Sequence, residues 1–364
     1  MLAGTIIGAG IFSLPFVFKN YGLLAGITSL FIFSLVYALV YFIYADIVLR
    51  TEGEHRFVGY SKIYLGKTGF WAAVVIGLVQ LLLVLTVYLI LAPSFIGLIF
   101  GGSHLSHLLF FWILSSILVL MNNKNVALSE FFIVSGIILI IFVVFCFGAG
   151  KLNFSAFSDF KFNLNSLGVI GPVLFALSGV MTIPEVVAYF KESSSPLKFL
   201  KRSLLLGGFL PALGYGAFVL GIIALSKTVS ADSVTGLIGQ SPQWLIIFLG
   251  VLGFLSLVSS YVLVGLNTRH ILEYDFSFSP SLAGFFVVSI PPILYLLGMR
   301  NFTEAVSFTG SVFIPLEIIL LIFIWLRANK IRPTNDFFNS DFTKATLPFL
   351  LGIFLIALVY AIIK

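Results

Sequence analysis

Gly8-Ala9-Gly10-Ile11-Phe12-Ser13-Leu14-Pro15 has a partner in Leu177-Ser178-Gly179-Val180-Met181-Thr182-Ile183-Pro184. An offset of 169 residues lays Gly10 on Gly179, Phe12 on Met181, Ser13 on Thr182, Leu14 on Ile183 and Pro15 on Pro184. Each stretch sets small residues before a hydroxyl, an aliphatic residue and a proline, inside an otherwise apolar run. Backbone groups without hydrogen bonds are tolerated at membrane depth only where they are buried in protein or line a cavity. Two such breaks at corresponding positions of two halves point to a binding site near the bilayer midplane.

Composition sets the frame. Of 364 residues, 60% are hydrophobic and 9% charged, with a mean hydropathy of +1.16. Soluble domains carry roughly 25% charged residues, so this chain reads as an all-α polytopic membrane protein. The net charge of +6 belongs to membrane orientation and gives no nucleic-acid signal. The single cysteine, Cys146, allows no intrachain disulfide and reads as a small core residue. No cleavable signal peptide is evident.

A span needs ~20 apolar residues. About eleven transmembrane helices are expected, at 1–18, 23–49, 70–100, 106–121, 130–149, 167–190, 203–226, 242–268, 281–298, 304–326 and 345–363. The first is short, with its break unusually early, which suggests a true start upstream of Met1. Lys and Arg favour cytoplasmic loops. With the N-terminus inside, fourteen fall in inside loops: Arg50, Arg56, Lys62 and Lys67; Lys124; Lys191, Lys198, Lys201 and Arg202; Arg269; and Arg327, Lys330, Arg332 and Lys344. Lys19, Lys151, Lys161, Lys227, Arg300 and Lys364 fall outside. This bias gives a cytoplasmic N-terminus, an outside C-terminus and an odd number of spans in the cell (inner or plasma) membrane.

Five spans per half force the second half to insert upside down relative to the first. The expected division is a first repeat over 1–149, an inverted second repeat over 167–326 and an extra helix 11 over 345–363. Residues 50–69 read as a cytoplasmic loop with a short helix. Ser193-Ser194-Ser195-Pro196 reads as the start of a surface helix carrying Lys198, Lys201 and Arg202.

Gly4, Gly8 and Gly10 interrupt the first span. Glycine is poor in helix interiors, although small residues also serve close helix packing in membranes. An unwound helix offers N–H groups at the positive end of a helix dipole, which suit a carboxylate. Its free carbonyls suit a cation or an ammonium group. One break thus suits both ends of a zwitterion, and α-amino acids follow as a substrate class.

Gly4-Thr5-Ile6-Ile7-Gly8-Ala9-Gly10-Ile11-Phe12-Ser13-Leu14-Pro15 resembles the first-helix signature of bacterial permeases of the aromatic and hydroxy amino acid permease group. That group lies in the amino acid–polyamine–cation superfamily, with the LeuT fold. Lys201-Arg202-Ser203 with Gly207-Gly208-Phe209-Leu210-Pro211 and Tyr215 is similar to the start of the seventh helix. Ser259-Ser260-Tyr261-Val262-Leu263-Val264-Gly265-Leu266 with Glu273-Tyr274-Asp275-Phe276 is similar to the eighth. The likeness covers nearly the whole chain. It implies a 5+5 inverted repeat with broken helices 1 and 6, plus helix 11.

The resemblance also implies site positions. Ala9 and Gly10 match backbone that holds a substrate carboxylate. Ile6 and Phe175-Ala176-Leu177-Ser178 match backbone that holds the amino group, with Phe175 shaping the side-chain pocket. The carbonyls of Gly4 and Ile7, with the hydroxyls of Ser259 and Ser260, match a Na⁺ site between helices 1 and 8. Those hydroxyls also have an ordinary alternative, bonding back to the preceding turn. Proton-coupled relatives can place a lysine from helix 5 there, and the fifth span here has none. The coupling ion stays open between Na⁺ and H⁺, and no other cofactor is implied.

Charges inside a membrane are functional candidates. Glu185, beside the second break, reads either as a brace for the unwound segment or as a proton carrier. Glu317 follows Pro315 near mid-membrane, with no partner evident in the sequence. Asp46, Glu130 and Glu304 fall near span ends and read as solvated or at headgroup level. Gln80 and Tyr88, eight apart in span 3, can share one helix face, and Tyr88 reads either as a gate or as packing. His104 and His107 make a weak metal pair. No phosphate-binding loop, nucleophile elbow or metalloprotease motif occurs, which argues against an enzyme. The expected function is secondary active symport of a neutral or aromatic amino acid by alternating access. The alternative is an exchanger or a transport-dead sensor with the same fold. Oligomeric state has no signature in the sequence.

Overall fold

The computed structural model describes residues 2–53, 55–121, 126–152, 164–193, 195–332 and 340–363. Lys124, Lys161 and Lys364 lie outside the described residues, as do the side chains of Glu130 and Lys344.

Among the described residues the chain is helical throughout. Eight helical stretches are long and apolar enough to cross a membrane, and two shorter apolar helices, Val134–Ala149 and Pro280–Leu296, join them. The remaining span is the broken first one. It consists of α1 (Leu2–Ile6), a 3₁₀ turn at Ala9–Phe12 and α2 (Leu14–Tyr21). Span 2 is α3 (Leu23–Arg50). Span 3 joins α4 (Phe57–Ala73) to α5 (Val79–Phe100) through a π-helical turn at Val74–Leu78. Spans 4 and 5 are α6 (His104–Met121) and α7 (Val126–Ala149).

Span 6 repeats the plan of span 1, with α8 (Ile170–Leu177), a 3₁₀ turn at Val180–Thr182 and α9 (Ile183–Glu192). Spans 7, 8 and 9 are α10 (Leu197–Leu225), α11 (Gln243–Asp275) and α12 (Pro280–Leu296). Span 10 joins α13 (Phe302–Phe308) to α14 (Ile314–Ile331) through a second π-helical turn at Thr309–Phe313, and span 11 is α15 (Ser340–Ile363).

Both breaks end in the same way. Pro15 and Pro184 sit in the first turn of α2 and α9, where a missing N–H costs nothing because that group has no helical partner. Packing then interlocks the two halves. Span 2 lies along both parts of span 6, span 7 lies along both parts of span 1, and spans 2 and 7 pack on each other. Spans 3 and 8 form the largest contact outside this group, and span 5 packs on spans 7 and 8.

Three expectations change. The surface helix after Pro196 is the start of the continuous 29-residue α10, because Leu200 and Leu204 are buried and carry the helix directly into the bundle. The polar stretch 50–69, by contrast, does hold a loop and a short helix, because the helix that starts at Phe57 breaks at Gly66 (φ 72°) before span 3 continues. Cys146 is exposed rather than in the core. Asp46 is 1% exposed, with one oxygen bonded by Arg50 Nε and by Trp325 Nε1, each at 2.7 Å. Arg50 also reaches Asn329 Oδ1 and the Arg332 carbonyl, so this charge network ties span 2 to the end of span 10.

Candidate functional site

The two breaks face each other. A β-carbon added at Gly10 would lie 2.5 Å from Ala176 Cα, and one at Gly179 would lie 2.6 Å from Ile6 Cγ1. Glycine at these positions lets the unwound segments touch, as a buried close approach requires.

Three tyrosines serve the freed backbone. Tyr41 donates to the Leu177 carbonyl at 2.7 Å and accepts from the Gly179 N–H at 3.1 Å. Tyr37, one turn earlier on α3, donates to the Leu174 carbonyl at 2.7 Å. Tyr215 on span 7 shares its hydroxyl hydrogen between the carbonyls of Ile6 (2.5 Å) and Ala176 (3.1 Å). Ser233, in the loop after span 7, donates to the Phe12 carbonyl at 2.6 Å. Ser13 turns its hydroxyl back onto the Gly10 carbonyl at 2.8 Å and does not cap α2. Among the described residues, no acceptor reaches the N–H groups of Ala9 and Gly10.

Those two residues line a cavity with about 910 Å³ of space free of protein atoms, its solvent-open part included. Ligand clefts are mostly apolar with a few convergent polar groups. This one fits that description. Ile6, Gly8, Tyr88, Phe175, Ala176, Ser178 and Met181 surround the breaks, with Leu81, Val84, Val264 and Ile314 as an apolar wall. Gln80, Asn267, Glu317, Tyr44 and Arg56 supply the polar groups. Gln80 Nε2 donates to Glu317 Oε2 at 2.8 Å. Asn267 Nδ2 lies 3.6 Å from Met181 Sδ.

The expected site residues therefore separate. Ile6, Ala9, Gly10, Tyr88, Phe175, Ala176 and Ser178 all line the cavity. Leu177 is buried just behind it, with its carbonyl on Tyr41. Ser260 lies against the first break, with its Oγ 3.2 Å from where a Gly8 β-carbon would be and the Tyr88 hydroxyl 3.8 Å from the same point. Gly4 and Ile7 belong to the same segment, and span 8, which carries Ser259, packs on the turn of that break. Glu185 stands apart from the cavity. Its carboxylate is 43% exposed and pairs with Arg56 at 3.0 Å. Arg56 bridges the cavity and an outer pocket that Glu185, His55 and Lys191 help to line. His104 and His107 hold no metal-type cluster, and none is formed by the described residues.

Sequence reasoning missed the tyrosines of α3. Tyr37, Tyr41 and Tyr44 are spaced four and three apart, which stacks them on one helix face, and all three are buried. A polar stripe on one face of an otherwise apolar span was the available signal.

No protein-family profile matches the chain, and no curated protein does. Solved structures do. The crystal structure of MhsT in complex with L-phenylalanine superposes with a TM-score of 0.69 at 18% identity, covering 100% of this chain and 96% of that one. A crystal structure of a mutant Eremococcus coleocola manganese transporter gives 0.61 at 14% identity, covering 100% and 92%. The same transporter with an aromatic bis-isothiourea compound gives 0.58 at 16%, with the same coverage. At these identities the likeness establishes the fold, which is LeuT-type with helices 1 and 6 broken and an added helix 11.

Proposed function

We propose that this chain is a secondary active transporter of a neutral or aromatic α-amino acid, working by alternating access with Na⁺ or H⁺ as the coupling ion. The observation that carries the reading is the pair of unpaired N–H groups at Ala9 and Gly10, lining a cavity between two facing breaks. The positive end of the 3₁₀ turn suits the substrate carboxylate. The carbonyls of the span 6 break, near Ala176 and Ser178, suit the ammonium group. Phe175 and the apolar wall suit an uncharged side chain. That MhsT was crystallised with L-phenylalanine is consistent with this assignment, as is the sequence likeness to the aromatic and hydroxy amino acid permease group.

On this reading the two repeats are 1–149 and 167–326. Spans 1, 2, 6 and 7 move as a bundle against the rest, and the chain sits in the cell membrane with its N-terminus inside. Arg56 then marks the cytoplasmic mouth of the cavity, and the Ser233 loop closes the outer side. Na⁺, if it is the coupling ion, binds between the first break and Ser259/Ser260.

The test is thermal stabilisation of the purified protein by individual amino acids, followed by counterflow in proteoliposomes. Stabilisation follows binding linkage, about 2.7 kcal/mol at a hundredfold excess over Kd. Neutral or aromatic amino acids should stabilise the protein and exchange across the membrane. No stabilisation by any amino acid would defeat the assignment. Binding with exchange but no ion-driven accumulation would establish the exchanger alternative, and binding with neither would establish the sensor.

A further inference from the structure

Glu317 is the one carboxylate lining the central cavity, and no cationic side chain pairs with it among the described residues. It is 6% exposed, as is Gln80. Gln80 Nε2 donates to Glu317 Oε2, while Gln80 Oε1 is fully buried and takes no donor. A buried amide oxygen without a donor is costly and calls for a partner. An ionised Glu317 offers only acceptors and cannot supply that donor. One proton supplies it. A carboxylic acid donates O–H to the amide oxygen while the amide N–H donates to the acid carbonyl, closing a two-bond ring.

The two residues also stand next to the two π-helical turns. Gln80 follows Val74–Leu78 by two residues, and Glu317 follows Thr309–Phe313 by four. Such bulges recur at functional sites because they re-aim side chains out of the regular helical register. We propose that Glu317 and Gln80 form a proton-binding site in the cavity wall, where the Glu317 carboxyl holds a proton on the Gln80 amide and exchanges it with the cavity. The role of that proton in driving transport rests on the transporter reading above, whereas the protonation site rests on the pair itself.

The surroundings leave this carboxyl as the titrating group. Tyr37, Tyr41 and Tyr44 of α3 are near enough to sense its charge. Tyr37 and Tyr41 donate their hydroxyls away, to Leu174 and Leu177. Arg56 and Tyr88 line the same cavity, with Arg56 engaged by Glu185. No histidine lines it. An alkali ion needs a fuller shell of oxygens than one carboxylate and one amide offer.

Infrared spectroscopy of the purified protein reads the site directly. The wild type should show a protonated carboxyl C=O band near neutral pH that disappears on titration to alkaline pH and is missing in Glu317→Gln. Gln80→Leu should keep the band but shift it, because the acid carbonyl loses its N–H donor. In proteoliposomes, Glu317→Gln should lose accumulation driven by an inward pH gradient by about tenfold or more, a larger loss than in counterflow. A wild-type band unchanged by Glu317→Gln, or unmoved by Gln80→Leu, would overturn the site. Accumulation driven by Na⁺ alone and indifferent to pH would overturn its coupling role. If no amino acid moves in either mode, the transporter reading falls while the infrared result still decides protonation.

Discussion

The first break is held from span 7 and the loop after it, the second mainly from span 2, and Tyr215 of span 7 is shared between them. At span 6, Tyr41 alone accepts from Gly179 and donates to Leu177, with Tyr37 one turn away on the same helix. At span 1, the holding groups are Tyr215 on span 7 and Ser233 in the loop after it, with Ser260 of span 8 close to Gly8. If spans 1, 2, 6 and 7 move together, the second break travels with its own support, whereas the first keeps one partner and slides past others. That difference casts span 6 as a rigid wall of the site and span 1 as the part that senses the motion.

The sharpest way to break the comparison is Gly10→Leu. Its β-carbon would meet the backbone of Ala176, which cannot step aside as a side chain can. Binding and transport should fall by about a hundredfold or more, with overpacking adding ~1–3 kcal/mol of destabilisation. Ligand-induced thermal shifts and counterflow check this. A folded Gly10→Leu protein that binds normally would remove the breaks from the site.

Tyr41→Phe comes next. It strands the Gly179 N–H and deprives the Leu177 carbonyl of its donor, each worth about 1–3 kcal/mol when buried. The melting temperature should fall clearly, with or without substrate. Tyr215→Phe should cost less, because the Ile6 carbonyl keeps the Gly8 N–H at 2.8 Å and only the shared bond to the Ala176 carbonyl is lost outright. If Tyr215→Phe proves the more damaging of the two, the rigid-wall assignment to span 6 is reversed.

Gly179→Ala should be milder than any change at Gly10. Its β-carbon meets the Ile6 side chain, which can shift where the Ala176 backbone cannot, and the Tyr41 hydroxyl at 3.1 Å. A stability loss near the low end of ~1–3 kcal/mol with substrate binding retained is expected, read by thermal shift.

How much of this the chain disclosed follows from the range of each interaction. The spans were legible because each is a continuous apolar run, and both breaks because glycine and proline act locally on the backbone. The partners of the break were not. Gln80 and Glu317 are 237 residues apart and Tyr41 and Leu177 are 136 apart, and neither separation leaves a periodic trace. Asp46 misled because position near a span end stood in for solvation, while Arg50 and Trp325 enclose it. Glu185 lies one residue beyond Pro184, as read, yet the turn at Val180–Thr182 directs α9 so that it meets Arg56 outside the cavity.

Two smaller effects sharpen the picture. Ser260→Ala should raise the Na⁺ concentration for half-maximal transport several-fold if Na⁺ couples, and Ser259→Ala less, since Ser260 is the hydroxyl that meets Gly8. Equal effects would shift the ion site along span 8. Glu185→Gln should change stability by no more than about 1 kcal/mol, because the Arg56 pair is solvent-screened. A large loss would make this pair a structural brace.

The most direct test of the central claim is accumulation of radiolabelled amino acids in proteoliposomes, first with an inward Na⁺ gradient and then with an inward H⁺ gradient. The account predicts that a neutral or aromatic amino acid accumulates under at least one gradient and that Gly10→Leu abolishes it. Folded wild-type protein that neither accumulates nor exchanges any amino acid, or a Gly10→Leu protein that transports as well as the wild type, would contradict it.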